Sequence, residues 1–210
     1  MPTPKTSNSP DDDENAINVE LMLRVKRATM KGDAGDAENA FQQIIELHQN
    51  AVIGTVAKML GNASEAEDIA QQVFIRLWKA APRYEVKAKF TTFLYTITRN
   101  LVFNETKRKS RKKEHSLEEQ EENSFTQMED RVASCPDQEI LQAELKSQVD
   151  LAINKLPEKQ RLAVILRRYE NMPYEQIADV LELSVSAVKS QLFRARNSLR
   201  ESLSHYLDQS

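Results

Sequence analysis

Four hydrogen-bond donors near the C-terminus have the spacing that contact with a polyanion requires. A helix would align them along one face, since they recur three to four residues apart: Ser186, Lys189, Ser190 and Arg194. Hydroxyl, ammonium and guanidinium groups donate to phosphate oxygens and to the acceptor atoms of base edges. The pattern therefore favours nucleic-acid binding, although basic residues that only solvate the outer face of an amphipathic helix would produce it as well.

Two helices joined by a tight turn would position these donors. Apolar spacing predicts a first helix over 174–182 and a second over 186–203. Ala178 is small enough for a steep crossing of the two helices, and Ser184 can cap the second one. One departure counts against a helix-turn-helix, because Glu182 stands at the turn-entry position that is often glycine. The second helix of such a unit lies in the major groove of DNA.

Aromatic and basic side chains alternate in the middle of the chain. Members of this set are Tyr84, Lys87, Lys89, Phe90, Phe93, Tyr95, Arg99, Lys107 and Arg108. Rings stack on unpaired bases while cations follow the phosphate backbone, so this composition suits binding to single strands. Two alternatives stay open. Phe90 and Phe93 can pack in a core, and the basic run 107–113 can be a solvated helix end.

Charge is segregated along the chain. The net charge is only -3, which by itself argues against a nucleic-acid binder. However, basic residues concentrate in 99–113 and in 189–200, and the segment 114–144 between them is acidic. This distribution predicts two surfaces that face polyanions, separated by an acidic tether.

The composition indicates a helical protein. With 29% charged residues and only 4 glycines in 210 residues, and with apolar residues at helical spacing, the chain is predicted to be all-α. We expect two small helical domains joined by a flexible acidic linker, with a helix-turn-helix in the second. The predicted units are a disordered tail 1–15, a domain 16–113, the linker 114–138 and a domain 139–207.

One helix of the first domain is marked clearly at both ends. Ser64 is followed three residues later by Glu67, the spacing of a capping box, and Pro82 follows the last apolar position. This spacing predicts a helix that begins next to Ser64 and ends before the proline, which cannot continue it.

The sequence offers no set of residues typical of catalysis or metal binding. Its only cysteine, Cys135, lies in the predicted linker, and the three histidines lie far apart at positions 48, 115 and 205. We therefore expect no catalytic residue, no metal site and no cofactor. Neither a secretory signal nor an apolar run of membrane-spanning length is present, which favours the cytoplasm and no membrane insertion.

Two segments resemble a known family. Residues 156–201 read LPEKQRLAVILRRYENMPYEQIADVLELSVSAVKSQLFRARNSLRE. They closely resemble the fourth conserved region of extracytoplasmic-function (ECF) sigma factors, a group of bacterial RNA polymerase sigma subunits. Residues 66–80 read AEDIAQQVFIRLWKA and are followed by FTTFLYTITRNLVFNETKRKSRK, which resembles the second region of the same family. The two matches stand in the order that the family has.

The resemblance implies a role for each segment. In the second helix of the C-terminal hairpin, contacts to the minus-thirty-five promoter element are implied for Ser186, Lys189, Ser190, Phe193, Arg194 and Arg196. Capture and melting of the minus-ten element are implied for Tyr84, Lys87, Lys89, Phe90, Tyr95, Arg99, Asn100, Lys107 and Arg108. Docking on core polymerase is implied for Asp68, Gln71, Gln72, Phe74, Arg76 and Trp78. Phe74 and Trp78 are also typical core residues, so Gln71 and Gln72 are the stronger contact candidates.

The same resemblance implies the partners. They are core RNA polymerase, through its β′ clamp helices and β flap, promoter DNA, and an anti-sigma protein. Two other classes stay open from the residues alone. A repressor would need a sensor or dimerisation domain in the N-terminal half, and a nuclease would need clustered carboxylates. We find neither a βα alternation nor a heptad repeat, and Glu65, Glu67 and Asp68 suit a helix N-terminus.

Overall fold

The computed structural model describes residues 10–115 and 136–207, which form eight α-helices and one short 3-10 helix, with no strand among them. Their bounds are α1 Pro10–Lys31, α2 Ala34–Leu60, α3 Ala63–Ala80, the 3-10 helix Ala81–Arg83, α4 Phe90–His115, α5 Pro136–Asn154, α6 Glu158–Arg168, α7 Tyr174–Leu181 and α8 Val185–Leu207. The prediction of an all-α fold is confirmed. The predicted acidic linker falls almost wholly outside the described residues.

Helix α1 begins earlier than the sequence suggested. It starts at Pro10, so residues 10–15, predicted to be disordered, are helical. Proline suits the first turn of a helix because its missing N–H would have no partner there. The side-chain oxygen of Asn15 accepts a hydrogen bond of 2.9 Å from the backbone N–H of Phe90. This contact satisfies a donor at the start of α4, which the helix itself cannot satisfy.

The start of α3 differs from the prediction by two residues. Its N-cap is Asn62, whose side chain accepts a hydrogen bond of 3.0 Å from the backbone N–H of Ser64. The capping box proposed for Ser64 and Glu67 is therefore wrong, since Asn62 provides the cap. Directly before it, Gly61 ends α2 with φ at 67°, a left-handed conformation that favours glycine.

Large apolar side chains hold α1 to α4 together. Met22, Ile44, Met59, Leu77 and Phe90 are all completely buried. Each such side chain stabilises the fold by about 1.5–3 kcal/mol relative to exposure. Because they come from all four helices, the N-terminal half forms one packed unit around α2.

A polar pair lies inside this core. The imidazole Nε2 of His48 is 2.9 Å from the side-chain oxygen of Asn18, and the His48 ring lies 5.3 Å from the ring of Phe90. Burial lowers the pKa of His48, because the charged imidazolium loses its hydration. The folded state therefore favours the neutral form of this histidine.

We expect the pKa of His48 to make folding stability depend on pH. When folding lowers the pKa of a histidine, the free energy of unfolding is unaffected above the pKa of the unfolded state, which is about 6.5. As the pH falls below that value the unfolded state takes up the proton first, so the free energy of unfolding decreases. Urea unfolding at pH 8, 7, 6 and 5 should show a decline below about pH 6.5. In the variant His48→Gln the decline over this range should vanish. An unchanged decline would show that other groups cause it.

The C-terminal half continues the same apolar core. Leu162, Ile165 and Leu166 of α6 are buried together with Ile177 of α7 and Val188 of α8. The two halves also pack against each other, with α4 on α7 and α2 on both α5 and α6.

Candidate nucleic-acid interface and partner groove

Helices α7 and α8 form the predicted helix-turn-helix. Its turn contains Glu182 in a left-handed conformation with φ at 54°, although glycine is the residue that adopts it without strain. The hydroxyl of Ser184 accepts a hydrogen bond of 3.2 Å from the backbone N–H of Ala187. The predicted cap is confirmed, and Ala178 is buried where α7 packs in the hairpin.

All six residues predicted to contact the minus-thirty-five element lie exposed on α8: Ser186, Lys189, Ser190, Phe193, Arg194 and Arg196. Phe193 has 62% of its surface exposed. The hydroxyl of Ser190 donates to the carbonyl of Ser186 at 3.0 Å, so its oxygen still has room to accept. The structure brings these side chains together on one surface.

The residues predicted to contact the minus-ten element divide into two groups. Lys87, Asn100, Lys107 and Arg108 are exposed, and Lys89 is half-buried, 3.3 Å from the carboxylate of Asp12. By contrast, Tyr84, Phe90, Tyr95 and Arg99 are buried, with 0–7% of their surfaces exposed. The first group can meet a nucleic acid directly, and the second cannot in this arrangement.

For Tyr84 and Phe90 the predicted DNA contact is corrected, because both belong to the core. Phe90 is fully buried beside His48, and the Tyr84 ring lies 5.3 Å from the ring of Phe93. Burial also raises the pKa of the Tyr84 hydroxyl. The core alternative that the sequence left open for Phe90 is the one that the structure adopts.

Tyr95 and Arg99 are buried for a different reason. Both lie on α4 where it packs against the C-terminal half, and both bind groups in that half. Their predicted DNA contact therefore conflicts with the closed packing of the two halves.

Two of the exposed cations already have acidic neighbours. Lys87 forms an ion pair with Glu85 at 2.7 Å, and Arg108 forms one with Glu105 at 2.7 Å. The neighbouring cation lowers the pKa of Glu85 and of Glu105. The Lys87–Glu85 pair is exposed on both sides and contributes little to stability, so a phosphate can displace it at small cost.

An apolar groove runs between α2 and α3. Its volume is about 520 Å³, and it is lined by Phe41, Ile45, Gln49, Ile53, Glu67, Ala70, Gln71, Phe74, Ile75 and Trp78. Trp78 is half-buried and meets Phe41 edge to face, with ring centroids 5.0 Å apart. The apolar lining of the groove suits the apolar face of another helix.

The residues predicted to bind core polymerase all lie on α3. Asp68, Gln71, Gln72 and Arg76 are exposed, Trp78 is half-buried and Phe74 is buried. Ile75, which was not among the predicted contact residues, is 43% exposed in the groove. The sequence does contain an indication of this role, because Ile75 is an apolar residue between Gln71 and Trp78 that does not fall on the core face of its helix.

Two comparisons identify the family. The model of sigma-70 region 2 matches residues 44–112, and the model of sigma-70 region 4 matches residues 146–199. Together they cover more than half of the chain. The chain belongs to the sigma-70 family.

Individual relatives place this sigma-70 factor in the ECF group. It is 29% identical to the ECF RNA polymerase sigma factor SigW of Bacillus subtilis over 188 residues, which is 88% of this chain and 98% of the relative. It is 30% identical to the RNA polymerase sigma-H factor of Pseudomonas aeruginosa over 186 residues, 88% of this chain and 92% of that protein. The resemblance drawn from the sequence is confirmed.

A solved structure has the same fold. The sigma factor RpoE of Bartonella quintana, crystallised with the anti-sigma factor NepR, superposes with a TM-score of 0.64 and 25% identity over 78% of this chain and 96% of that one. Within the described part of our sigma-70 factor, no helix is long and apolar enough to cross a membrane. Nor do those residues gather three or more histidine, cysteine or acidic side chains around a possible metal position.

Proposed function

We propose that this sigma-70 factor docks on core RNA polymerase through the groove between α2 and α3 and reads promoter DNA with α8 and α4. The observation that carries the proposal is that each of the two family-matched segments presents an exposed surface suited to its task. The region 2 segment presents an apolar groove, and the region 4 segment presents six exposed side chains on α8. The polymerase supplies the chemistry, and this chain supplies recognition.

The groove fits docking better than it fits a role in the fold alone. A helix seated there would cover Ile75 and the open face of Trp78, which otherwise remain in water. Aromatic and aliphatic anchors surrounded by polar residues are typical of the centre of an interface. Gln71 and Arg76 lie exposed on the same helix and can supply the polar contacts around that centre.

The domain assignment follows the same logic. We propose that residues 16–113 act as the unit that binds core polymerase and the minus-ten element, and that residues 139–207 act as the minus-thirty-five unit. The acidic segment 114–138 then connects two DNA contacts that must reach separate promoter elements. In the cytoplasm, where RNA polymerase works, such a protein needs no membrane insertion.

An anti-sigma partner is part of the proposal. The RpoE structure holds the anti-sigma factor NepR, and our sigma-70 factor presents an apolar groove that a helix of such a partner can occupy. A protein that fills the groove would compete with polymerase for the same apolar anchors.

Arg194 provides a test of DNA reading. The variant Arg194→Ala should lose about 1–3 kcal/mol of discrimination between a selected minus-thirty-five site and a scrambled site, the range for a specific base contact. The holoenzyme formed with core polymerase would first select its site from a random-sequence pool, and competition binding would then measure both affinities. Arg200→Ala is the control, since this exposed residue lies outside the recognition set and should weaken both sites equally. Equal loss by Arg194→Ala would assign that residue to phosphate.

A further inference from the structure

Helix α1 contacts both ends of the loop that joins the 3-10 helix to α4. At one end, the Lys26 ammonium donates a hydrogen bond of 2.8 Å to the backbone carbonyl of Tyr84. At the other end, the side-chain oxygen of Asn15 accepts a bond of 2.9 Å from the backbone N–H of Phe90. Groups at the ends of helices have no partner within their own helix, and α1 supplies a partner for both of these.

We call residues 85–89 the minus-ten loop, because the family resemblance assigns Lys87 and Lys89 to capture of that element. The first four of its side chains are exposed, and a buried aromatic ring flanks the loop on each side. The backbone N–H of Lys87 donates to the carbonyl of Glu85 at 2.9 Å. This local bond shapes the tip of the loop, whereas the contacts at its two ends determine where the tip lies.

Helix α1 is itself fixed by the core. Met22 and Val25 are completely buried, and Asn18 is 1% exposed beside His48. The helix lies outside the segment that matches sigma-70 region 2, which begins at residue 44. This sigma-70 factor therefore holds its minus-ten loop with residues that the matched segment does not include.

We propose that Asn15 and Lys26 are positioning residues for recognition of the minus-ten element, since they hold the minus-ten loop where it can receive a base. Such a role rests on the proposed function, in which this loop contacts the minus-ten element. A contact with a base edge requires the protein groups to lie within about 0.5 Å of the productive position. Contacts with phosphates orient the protein but carry no sequence information. Loss of the two hydrogen bonds should therefore lower discrimination between bases and leave the sequence-independent part of binding unchanged.

An ion pair near the start of α1 gives a contrasting expectation. The Asp12 carboxylate lies 3.3 Å from the Lys89 ammonium. If the start of α1 only competed with DNA for this cation, loosening its contacts would strengthen binding to every sequence alike. If α1 positions the loop, the selected sequence alone loses affinity. The sign of the change therefore separates the two roles.

Backbone dynamics of the free full-length protein provide the first test. Nitrogen-15 relaxation gives an order parameter for each backbone N–H, about 0.85 in rigid backbone and below about 0.6 in flexible backbone. Residues 85–89 should lie near the rigid value in the natural protein and below about 0.6 in the double variant Asn15→Ala, Lys26→Met. Asn50→Ala with Lys31→Met is the matched control, because it removes the same groups from exposed positions on α2 and α1, and it should resemble the natural protein. A natural loop that is already flexible, or a variant loop that stays rigid, would overturn the positioning role.

Recognition is tested with the holoenzyme formed by core polymerase and the full chain. The natural holoenzyme first selects a minus-ten sequence from labelled single strands of random sequence, and each base of the selected element is then substituted in turn. If an unheld loop is competent about one-tenth of the time, the double variant should bind the selected strand about tenfold more weakly. Its affinity for substituted strands, which depends on phosphate contacts, should stay constant, as should both affinities of the control. Asn15→Asp with Lys26→Arg keeps the acceptor and the donor, so it should retain the discrimination.

The outcomes separate the positioning role from the proposed function. Discrimination by the natural holoenzyme that the double variant retains would overturn only the positioning role. An equal loss, or an equal gain, on selected and substituted strands would overturn it as well. A natural holoenzyme without any discrimination would contradict minus-ten recognition and the positioning role together. Urea unfolding checks that each variant is folded, and Asn15→Ala alone provides the same comparison if the double variant is unstable.

Discussion

The variant Ile75→Glu should bind core RNA polymerase at least about 100-fold more weakly than the natural protein, a loss of about 2.7 kcal/mol. Ile75 lies in the groove between α2 and α3 with 43% of its surface exposed. A helix docked there would bury the new carboxylate against Phe74 and Trp78. Removing a charge from water costs free energy, and residues at the centre of an interface carry most of its energy.

The control for this variant is Met30→Glu. Met30 is also an exposed apolar residue, at 72%, but it lies near the end of α1 and outside the groove. Both substitutions add the same charge to the surface, so general electrostatic effects cancel. Fluorescence titration of labelled sigma factor with purified core enzyme measures both. Equal affinity of the two variants would remove the groove from the polymerase interface.

Phe90→Ala should destabilise the fold by about 3–5 kcal/mol, the usual cost of deleting a buried aromatic ring. The ring is completely buried and lies beside His48 at the start of α4. Urea unfolding measures the loss. Lys107→Ala, an exposed change on the same helix, should leave the unfolding free energy within about 0.5 kcal/mol and weaken single-strand binding instead.

Comparison of Phe90→Ala with Lys107→Ala shows whether Phe90 packs in the core or captures a base. If Phe90 stacked on a base, its loss would weaken DNA binding while the unfolding free energy stayed nearly constant. That result would contradict the packing described for α4. A phenylalanine replaced by leucine at the same position should recover part of the stability, because most of the apolar volume returns.

The helices were predictable because they depend on local signals. Apolar spacing predicted both helices of the C-terminal hairpin, and Ser184 was correctly identified as the cap of α8. Errors arose at helix starts. Asn62 caps α3 two residues before Ser64, and both side chains can act as caps. Only the course of the backbone decides which of them does so.

The exposed surface of α8 was predictable for the same reason. A helix that buries Val188 and Ala195 must turn Lys189 and Arg194 outward. The positions of the aromatic residues in the minus-ten set were harder to predict. A sequence in which rings and cations alternate is typical both of a surface that stacks on bases and of an amphipathic helix that buries its rings. Phe90 lies in the core since its position at the first turn of α4 faces α2, which sequence spacing does not reveal.

Packing of one half on the other left no local trace in the sequence. Arg99 and Val180 are 81 positions apart, and Arg99 and Glu182 are 83 apart. Each residue had a plausible separate interpretation: Arg99 as a DNA contact and Glu182 as a departure from the usual turn glycine. Only the fold joins them, and the ion pair gives a physical reason for a glutamate in a left-handed turn.

In vitro transcription tests the central claim most directly. Purified core RNA polymerase, with and without the full chain, would transcribe fragmented genomic DNA of the source organism, and sequencing would map the 5′ ends of the transcripts. We expect discrete start sites that depend on this protein and share two upstream elements. Ile75→Glu should abolish them, and Met30→Glu should preserve them. Transcripts without discrete starts, together with no binding to core, would contradict the assignment.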